Sequence, residues 1–211
     1  KWVKDPSPAI DVPPDEETAP APDGLWPPQG RRTGLHSCVA PTVVEIPGSG
    51  YRMYYTHVSP RPGCPQGAND YGNATSRILS ATSVDGADWT PEPGVRLSPQ
   101  QGGAGEYRVV APEVVPIPDG SGRWRMYYEC CPGTQAEAST IRSAVSADGL
   151  KWTVESGDRL SGSGGSFNAP RVLALDDGRC RMYCSDQVEG IVSAISEDDG
   201  YNFTLEAGRR I

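Results

Sequence analysis

The chain has 211 residues, a length that suits one or two domains, and 36% of them are hydrophobic, which is enough for a folded core. Its 25 glycines and 21 prolines are too many for long helices and are typical of short strands joined by tight turns. The net charge of −8 argues against a nucleic-acid surface, and no apolar run is long enough to span a bilayer. We therefore expect neither a nucleic acid nor a membrane as partner.

Residues 1–34 are acidic and rich in proline, as a linker or a long loop would be. Lys1-Trp2-Val3 nevertheless matches Lys151-Trp152-Thr153 further along the chain. We therefore predict that residues 1–34 hold the outer strand of a preceding repeat and a Pro-rich connecting loop, and that the sequence is a fragment of a longer protein.

Three copies of one repeat follow, and we place them at residues 35–105, 106–165 and 166–211. The middle copy shows the pattern best, with Ala111-Pro-Glu-Val-Val, then Arg125-Met-Tyr-Tyr, then a run from Ile141 to Trp152. Each copy reads as four strands, the last two joined by an Asp-Gly turn. Asp-Gly between extended runs predicts a hairpin in which both turn residues adopt positive φ.

Four-stranded units repeated at about 50–60 residues predict the blades of an all-β propeller. Three blades cannot close a ring of the usual curvature, so further blades are expected outside this sequence or on a second chain. Residues that recur in every blade are expected to be scaffold: Arg52, Arg125 and Arg181, and Tyr54, Tyr127 and Tyr183.

The Asp-Gly turns, such as Ser196-Glu-Asp-Asp-Gly-Tyr-Asn-Phe203, are similar to the Asp-box of sialidase-type propellers. Together with the Ala-Pro-x-Val and Met-Tyr-Tyr patterns, they make residues 35–211 resemble the five-bladed glycosidase propellers. These are the arabinanase/β-xylosidase family (glycoside hydrolase family 43) and its invertase and levansucrase relatives. The resemblance implies an oligo- or polysaccharide substrate, a secreted or extracytoplasmic location, and no cofactor, with a structural calcium ion in the funnel as an option.

Members of that family carry three acids on the inner strands of successive blades, with two carboxyl groups flanking the scissile bond. Glu113, in Ala111-Pro-Glu, matches the position of the acid that tunes the pKa of its neighbours. The preceding blade has Val39-Ala-Pro-Thr42, with no acid before the proline, and the following blade has Asn168-Ala-Pro-Arg171, with no glutamate. Two of the three expected acids are therefore absent here: they could lie in missing blades, the register could differ, or the site could be inactive for that chemistry.

Inner strands begin, and second strands end, on one face of a propeller near its axis. This geometry nominates three catalytic carboxylates and five sugar-binding side chains, and no metal site. A structural role stays open for each: Glu113 and Arg171 could form a plain ion pair, Glu129 and Asp186 could be solvated, and the histidines could be surface groups. The nominated residues are Glu113, Glu129 and Asp186, then His36, His57, Arg108, Asn168 and Arg171.

The six cysteines divide into two groups by their alignment between repeats. Cys38, Cys180 and Cys184 replace core residues of the other repeats and are expected to be buried thiols. Cys64 lies near the second-strand loops and is predicted to form a disulfide with Cys130 or Cys131.

Two functional hypotheses follow from different classes. The first is a glycoside hydrolase-like enzyme whose carboxylates perform acid/base chemistry in the central funnel. The second is a non-catalytic propeller that binds a glycan or a protein, since one fold hosts many functions. Two carboxylates at the separation of a glycosidase, about 5–10 Å, would favour the enzyme.

Overall fold

The computed structural model describes residues 6–10, 36–61, 63–64, 73–134, 139–161 and 166–210. Every regular element in these ranges is a β-strand, which confirms the predicted all-β class. The prediction for Lys1-Trp2-Val3 and most of the Pro-rich loop lies outside the described residues. In the ranges described, no helix is long and apolar enough to cross a membrane.

The described strands form three antiparallel units in sequence order, which we call blades 1, 2 and 3. Blade 1 contains β1 (Ser37–Ile46), β2 (Gly50–Pro60), β3 (Ala74–Ser83) and β4 (Thr90–Pro91). Blade 2 contains β5 (Arg108–Pro116), β6 (Trp124–Cys131), β7 (Thr140–Ser146) and β8 (Thr153–Val154). After the short β9 (Leu160–Ser161), blade 3 contains β10 (Phe167–Ala174), β11 (Cys180–Asp186), β12 (Gly190–Ser196) and β13 (Phe203–Leu205).

The blades pack against one another through apolar faces and share few backbone pairings. Blades 1 and 2 share only one parallel bridge among the described strands, between Ser76 and Arg108, and β9 crosses over to pair with β13 of blade 3. One apolar cluster joins blades 1 and 2, and a second joins blades 2 and 3. Strand β6, covered on both faces, is buried along almost its whole length. This arrangement is an open, incomplete propeller, as the repeats predicted.

The inner strands β1, β5 and β10 each bend at the same place. Ala40, Ala111 and Ala169, each followed by proline, adopt φ values of 50°, 51° and 50°. The pairing register with the second strand shifts at each of them, which marks a β-bulge. A left-handed conformation is costly for a residue other than glycine, so the bulge must be held by its surroundings.

Side chains of one blade hold the turn of the next blade. The Tyr54 hydroxyl donates to the Gly149 carbonyl at 2.9 Å, and the Tyr127 hydroxyl donates to the Gly200 carbonyl at 2.7 Å. Arg52 likewise donates to the Asp148 carbonyl at 3.1 Å. The recurring tyrosines and arginines are therefore scaffold, in agreement with their repetition in sequence.

The same arginines also close their own blade. Each makes a two-pronged ion pair with a glutamate of the outer-strand region, and a serine of the third strand donates to that glutamate. The three sets are Arg52, Glu92 and Ser80; Arg125, Glu155 and Ser143; and Arg181, Glu206 and Ser193.

The Asp-Gly turns differ from the predicted hairpin. Gly86 and Gly149 adopt positive φ, but the aspartates before them do not, and only Asp199 in the third turn does. Side chains hold these turns: Asp85 Oδ1 accepts the amides of Ala87 and Asp88 at 2.9 and 3.0 Å. The Ser83 hydroxyl likewise accepts the Gly86 amide at 2.9 Å. Side-chain hydrogen bonds, and not two residues with positive φ, therefore hold this turn.

Arg181 and Tyr183 of blade 3 correspond to the arginines and tyrosines that bind the turn of the next blade. Among the described residues, no such turn contacts them. The Arg181 side chain is 33% exposed, whereas Arg125 is 7% exposed. Tyr183 is only half-buried, whereas Tyr127 is buried. Within the described residues, no further blade follows blade 3 to cover these side chains.

We predict that Tyr127→Phe lowers the free energy of unfolding by about 1–2 kcal/mol, because the buried Gly200 carbonyl loses its donor. Tyr183→Phe is the matched control and should change stability by less than about 0.5 kcal/mol. Urea denaturation followed by tryptophan fluorescence measures both. Equal losses for the two variants would contradict the assignment of Tyr127 to the blade interface.

Candidate functional site

Three equivalent residues, each two positions after the bulge alanine, meet where the inner strands converge. Thr42 Oγ1 donates to Glu113 Oε2 at 3.2 Å, and the Val172 amide donates to Glu113 Oε1 at 3.4 Å. Arg171 NH1 lies 3.4 Å from Glu113 Oε2. Glu113 therefore connects the inner strands of all three blades and is the centre of the site.

Glu113 lies at the boundary between core and solvent. Its side chain is 14% exposed, and Arg171 beside it is 45% exposed. Burial raises the pKa of Glu113, although Arg171, the Val172 amide and Thr42 each oppose that rise. A carboxyl group with a raised pKa holds its proton at higher pH, which suits a general acid.

Glu129 has a different environment, because it is almost fully buried. It accepts a hydrogen bond from Ser139 Oγ at 3.0 Å, and its carboxylate also accepts the Ala169 amide. Burial raises its pKa, with these hydrogen bonds and the nearby Arg108 opposing. In the preceding blade, Thr56 Oγ1 accepts the Ala111 amide in the same way, at 3.0 Å. Glu129 thus anchors the bulge of β10.

Asp186 lies at the end of β11, where it organises a turn. Its Oδ1 accepts the amides of Val188 and Glu189, both at 2.8 Å. In the repeat alignment Asp186 is one residue out of step with Glu129, and successive strand residues point to opposite faces. Glu129 and Asp186 therefore do not occupy equivalent positions of their blades, and their use as an acid pair stays a prediction.

Arg108 is the first residue of β5, and Asn168 is the second residue of β10. Arg108 is buried, and its NH2 group lies 2.6 Å from the sulfur of Cys131. Asn168 Oδ1 accepts a hydrogen bond from Ser166 Oγ at 3.3 Å, and its side chain is half-buried. Asn168 lies three residues from Arg171 across the bulge, on the strand that faces Glu113.

The two histidines form a pair at the edge of blade 1. His36 Nδ1 lies 3.1 Å from His57 Nε2, and the rings are stacked with centroids 5.3 Å apart. Arg77 Nε donates to His57 Nδ1 at 3.3 Å. Burial lowers the pKa of His57 to about 3, and Arg77 and His36 add to the effect. His57 is therefore neutral at physiological pH.

The predicted disulfide is wrong, because all six cysteines are free thiols. Cys130 packs into the core between blades 1 and 2, and Cys131 accepts from Arg108. Cys64 lies instead 3.7 Å from Arg61. Cys180 and Cys184 are buried, as expected, and Cys38 is half-buried.

Sequence reasoning misses several residues of this framework. In the sequence Thr42 marks only the absence of an acid, yet it contacts Glu113. Arg77 has no sequence signal, because its link to His57 arises only when β2 and β3 pair. The glutamates that bind the recurring arginines have a visible signal, since each stands three residues after the aromatic residue of its turn: Glu92, Glu155 and Glu206.

No group of three or more His, Cys, Asp or Glu side chains converges to hold a metal ion within the ranges described. Calcium in the funnel therefore stays a prediction. The charged groups that meet around Glu113 are one carboxylate and one guanidinium, which can bind hydroxyl groups or exchange a proton without a metal ligand set.

The fold places the chain among propellers of the kind found in glycoside hydrolases. Neither a protein-family model nor a curated protein matches its sequence. Solved structures do match. Zg3597, a family 117 glycoside hydrolase from the marine bacterium Zobellia galactanivorans, is 20% identical with a TM-score of 0.64, over 82% of this chain and 56% of that one.

Two further structures show the same likeness. A glycosyl hydrolase from Bacteroides ovatus is 17% identical with a TM-score of 0.58, over 81% of this chain and 49% of that one. The BT0996 RGII complex is 17% identical with a TM-score of 0.63, over 84% of this chain and 58% of that one. The chain thus spans about half the length of these structures, and at such identities the likeness establishes the fold.

We predict that Glu129→Gln removes a pH-dependent cost of folding while keeping the acceptor for Ser139. Because folding raises the pKa of Glu129, the parent loses stability as pH rises from the ordinary glutamate pKa through the raised one. The variant should therefore lose less stability than the parent as the pH rises from 4 to 7.5, on top of any constant cost of replacing one carboxylate oxygen by an amide group. Thermal unfolding at both pH values measures this. A parent and a variant whose stabilities change in parallel between pH 4 and pH 7.5 would contradict a pKa of Glu129 raised by burial.

Proposed function

We propose that the chain forms part of a glycoside hydrolase-like propeller that acts on an oligo- or polysaccharide in its central funnel, with Glu113 as the acid. The observation that carries the proposal is the position of Glu113, a partly exposed carboxyl group with a raised pKa where three inner strands meet. Glycoside hydrolysis requires a carboxylic acid that stays protonated to assist the leaving group.

The comparison structures support the substrate class without extending to this chain's activity. Two of those named are glycoside hydrolases, and one is a complex with RGII. The proposal includes the finer resemblance to the arabinanase/β-xylosidase and invertase relatives, and the reading of the Ser-x-Asp turns as Asp-boxes. A segment outside this sequence or a second chain would supply the rest of the ring.

Arg171 and Asn168 are proposed to orient the glycan. The Arg171 guanidinium donates to the Pro170 carbonyl at 2.8 Å and forms an ion pair with Glu113 at 3.4 Å, and it is 45% exposed. An exposed arginine beside the reacting carboxyl group donates hydrogen bonds to sugar hydroxyls and also limits the rise in the Glu113 pKa. Glu129 is proposed to have an indirect, positioning role, because it holds the bulge of β10 that lies between Asn168 and Arg171.

A non-catalytic glycan-binding propeller is the second candidate, and one observation favours it. The positions equivalent to Glu113 hold Thr42 and Arg171, and both Glu129 and Asp186 are engaged in hydrogen bonds that organise backbone. A single axial carboxylate flanked by donors is sufficient to bind sugar hydroxyls. The secreted or extracytoplasmic location stays a prediction, and six free thiols are more usual in reducing compartments.

We predict that Glu113→Gln lowers kcat by at least about 10²-fold on any glycoside that the parent hydrolyses, because the variant has no acidic proton. Release of aryl aglycone and reducing-sugar assays on a glycan panel measure this. Glu45→Gln, which changes an exposed carboxyl group on β1, is the matched control and should retain full activity.

Two results would separate the candidates. A folded parent that hydrolyses no glycan on a broad panel but retains oligosaccharides in affinity electrophoresis would establish the binding propeller. A Glu113→Gln variant with parental kcat would remove Glu113 from the chemistry.

A further inference from the structure

A polar cleft of about 470 Å³ lies at the edge of blade 1, away from Glu113. It is formed where β2 ends and β3 begins, against the connection that leads from β4 to β5. Glu113 is not among its lining residues, and the groups that contact Glu113 belong to other parts of the described strands, so the cleft is a separate feature of the surface. Its polar and charged lining includes His36, His57, Thr75, Arg77, Ser98 and Gln100.

Hydrogen-bond donors fix the proton positions in this cleft. Arg77 Nε always carries hydrogen, so His57 Nδ1, which lies 3.3 Å away, must be the acceptor. The neutral His57 ring therefore carries its proton on Nε2 and donates to His36 Nδ1, 3.1 Å away. His36 in turn holds its own proton on Nε2. The series of donors runs from Arg77 through His57 to His36, and both imidazoles are neutral.

The remaining lining has the chemistry of a polyol site. Ser98 and Gln100 bring a hydroxyl and an amide that can donate and accept hydrogen bonds, and Thr75, whose hydroxyl donates to the Tyr107 carbonyl at 2.8 Å, brings an acceptor. Pro60 and Pro99 add apolar surface. The carboxylate at the rim, Glu106, is paired with Arg61 at 2.6 Å. Imidazoles, hydroxyls and an amide match sugar hydroxyls, and the one cation among the described lining residues, Arg77, directs its Nε hydrogen to His57.

The cleft is within reach of the axial site. His36 immediately precedes β1, and Thr42 on the same strand donates to Glu113. Six residues of extended strand span at most about 20 Å. The cleft and the axial carboxylate are therefore no further apart than the length of a short oligosaccharide.

We propose that this cleft is an accessory subsite that binds a neutral sugar residue of the same glycan whose reacting bond lies at Glu113. The inference rests on the proposed glycan substrate. It adds a second place, beyond the reacting bond, at which the protein binds that glycan. The neutral imidazole of His36 and the polar groups of Thr75, Ser98 and Gln100 bind the sugar hydroxyls. The contact between Arg77 and His57 positions the imidazole pair.

The two histidines provide a direct probe, because they are the only ones in the sequence. Imidazole resonances of ¹⁵N-histidine-labelled protein are recorded during titration with neutral xylo-, arabino-, galacto- and manno-oligosaccharides. We expect at least one neutral oligosaccharide to shift both histidines in a saturable way, and oligogalacturonate to shift them less. Gln100→Ala should weaken that binding about 5-fold, the loss of one hydrogen bond. Val84→Ala, in an exposed turn of the same blade, should bind like the parent.

The outcomes keep the subsite distinct from the proposed hydrolysis. Glu113→Gln should abolish turnover and leave the histidine shifts unchanged. Sugar-dependent shifts in a parent that hydrolyses nothing would support the subsite and overturn the hydrolase. Hydrolysis without histidine shifts, shifts with oligogalacturonate alone, or an unchanged affinity in Gln100→Ala would overturn the subsite.

Discussion

The left-handed alanine on each inner strand is the constraint on which the site depends. A non-glycine residue in this conformation costs about 1–3 kcal/mol, and its amide must still find an acceptor. The preceding blade supplies one, Thr56 for Ala111 and Glu129 for Ala169. Each of these two bulges exists because two blades are packed together. The same bend sets the direction of the residue two positions later, and so brings Glu113 to its neighbours.

Scaffold and function are therefore separated along each blade. The tyrosines and arginines that recur bind the turn of the next blade, and their repetition serves packing alone. The axial positions do not repeat: threonine, glutamate and arginine occupy the three equivalent sites. A repeated fold thus presents one carboxylate, one cation and one hydroxyl at its axis. The chemistry that we propose for the protein uses the positions at which the repeats differ.

Repeat patterns predicted the all-β fold, the scaffold role of the recurring residues and the contact between Glu113 and Arg171, because these follow from strand alternation and blade geometry. They did not predict contacts that depend on a side chain's exact direction. The Glu129 carboxylate accepts a backbone amide, the Asp186 carboxylate accepts amides of its own turn, and Cys64 is a free thiol. The alignment of repeats predicts where in a blade a residue lies. It does not predict which hydrogen bonds the side chain forms, because these depend on which buried backbone groups lack a partner.

The central claim is that Glu113 is an axial carboxyl group whose proton is held by burial against the pull of Arg171. A ¹³C carboxyl NMR titration, assigned with Glu113→Gln and repeated in Arg171→Gln, tests it most directly. The account predicts a Glu113 pKa above the ordinary glutamate value of about 4.3, and a further rise when Arg171 is removed. A pKa at or below the ordinary value, unchanged in Arg171→Gln, would contradict it.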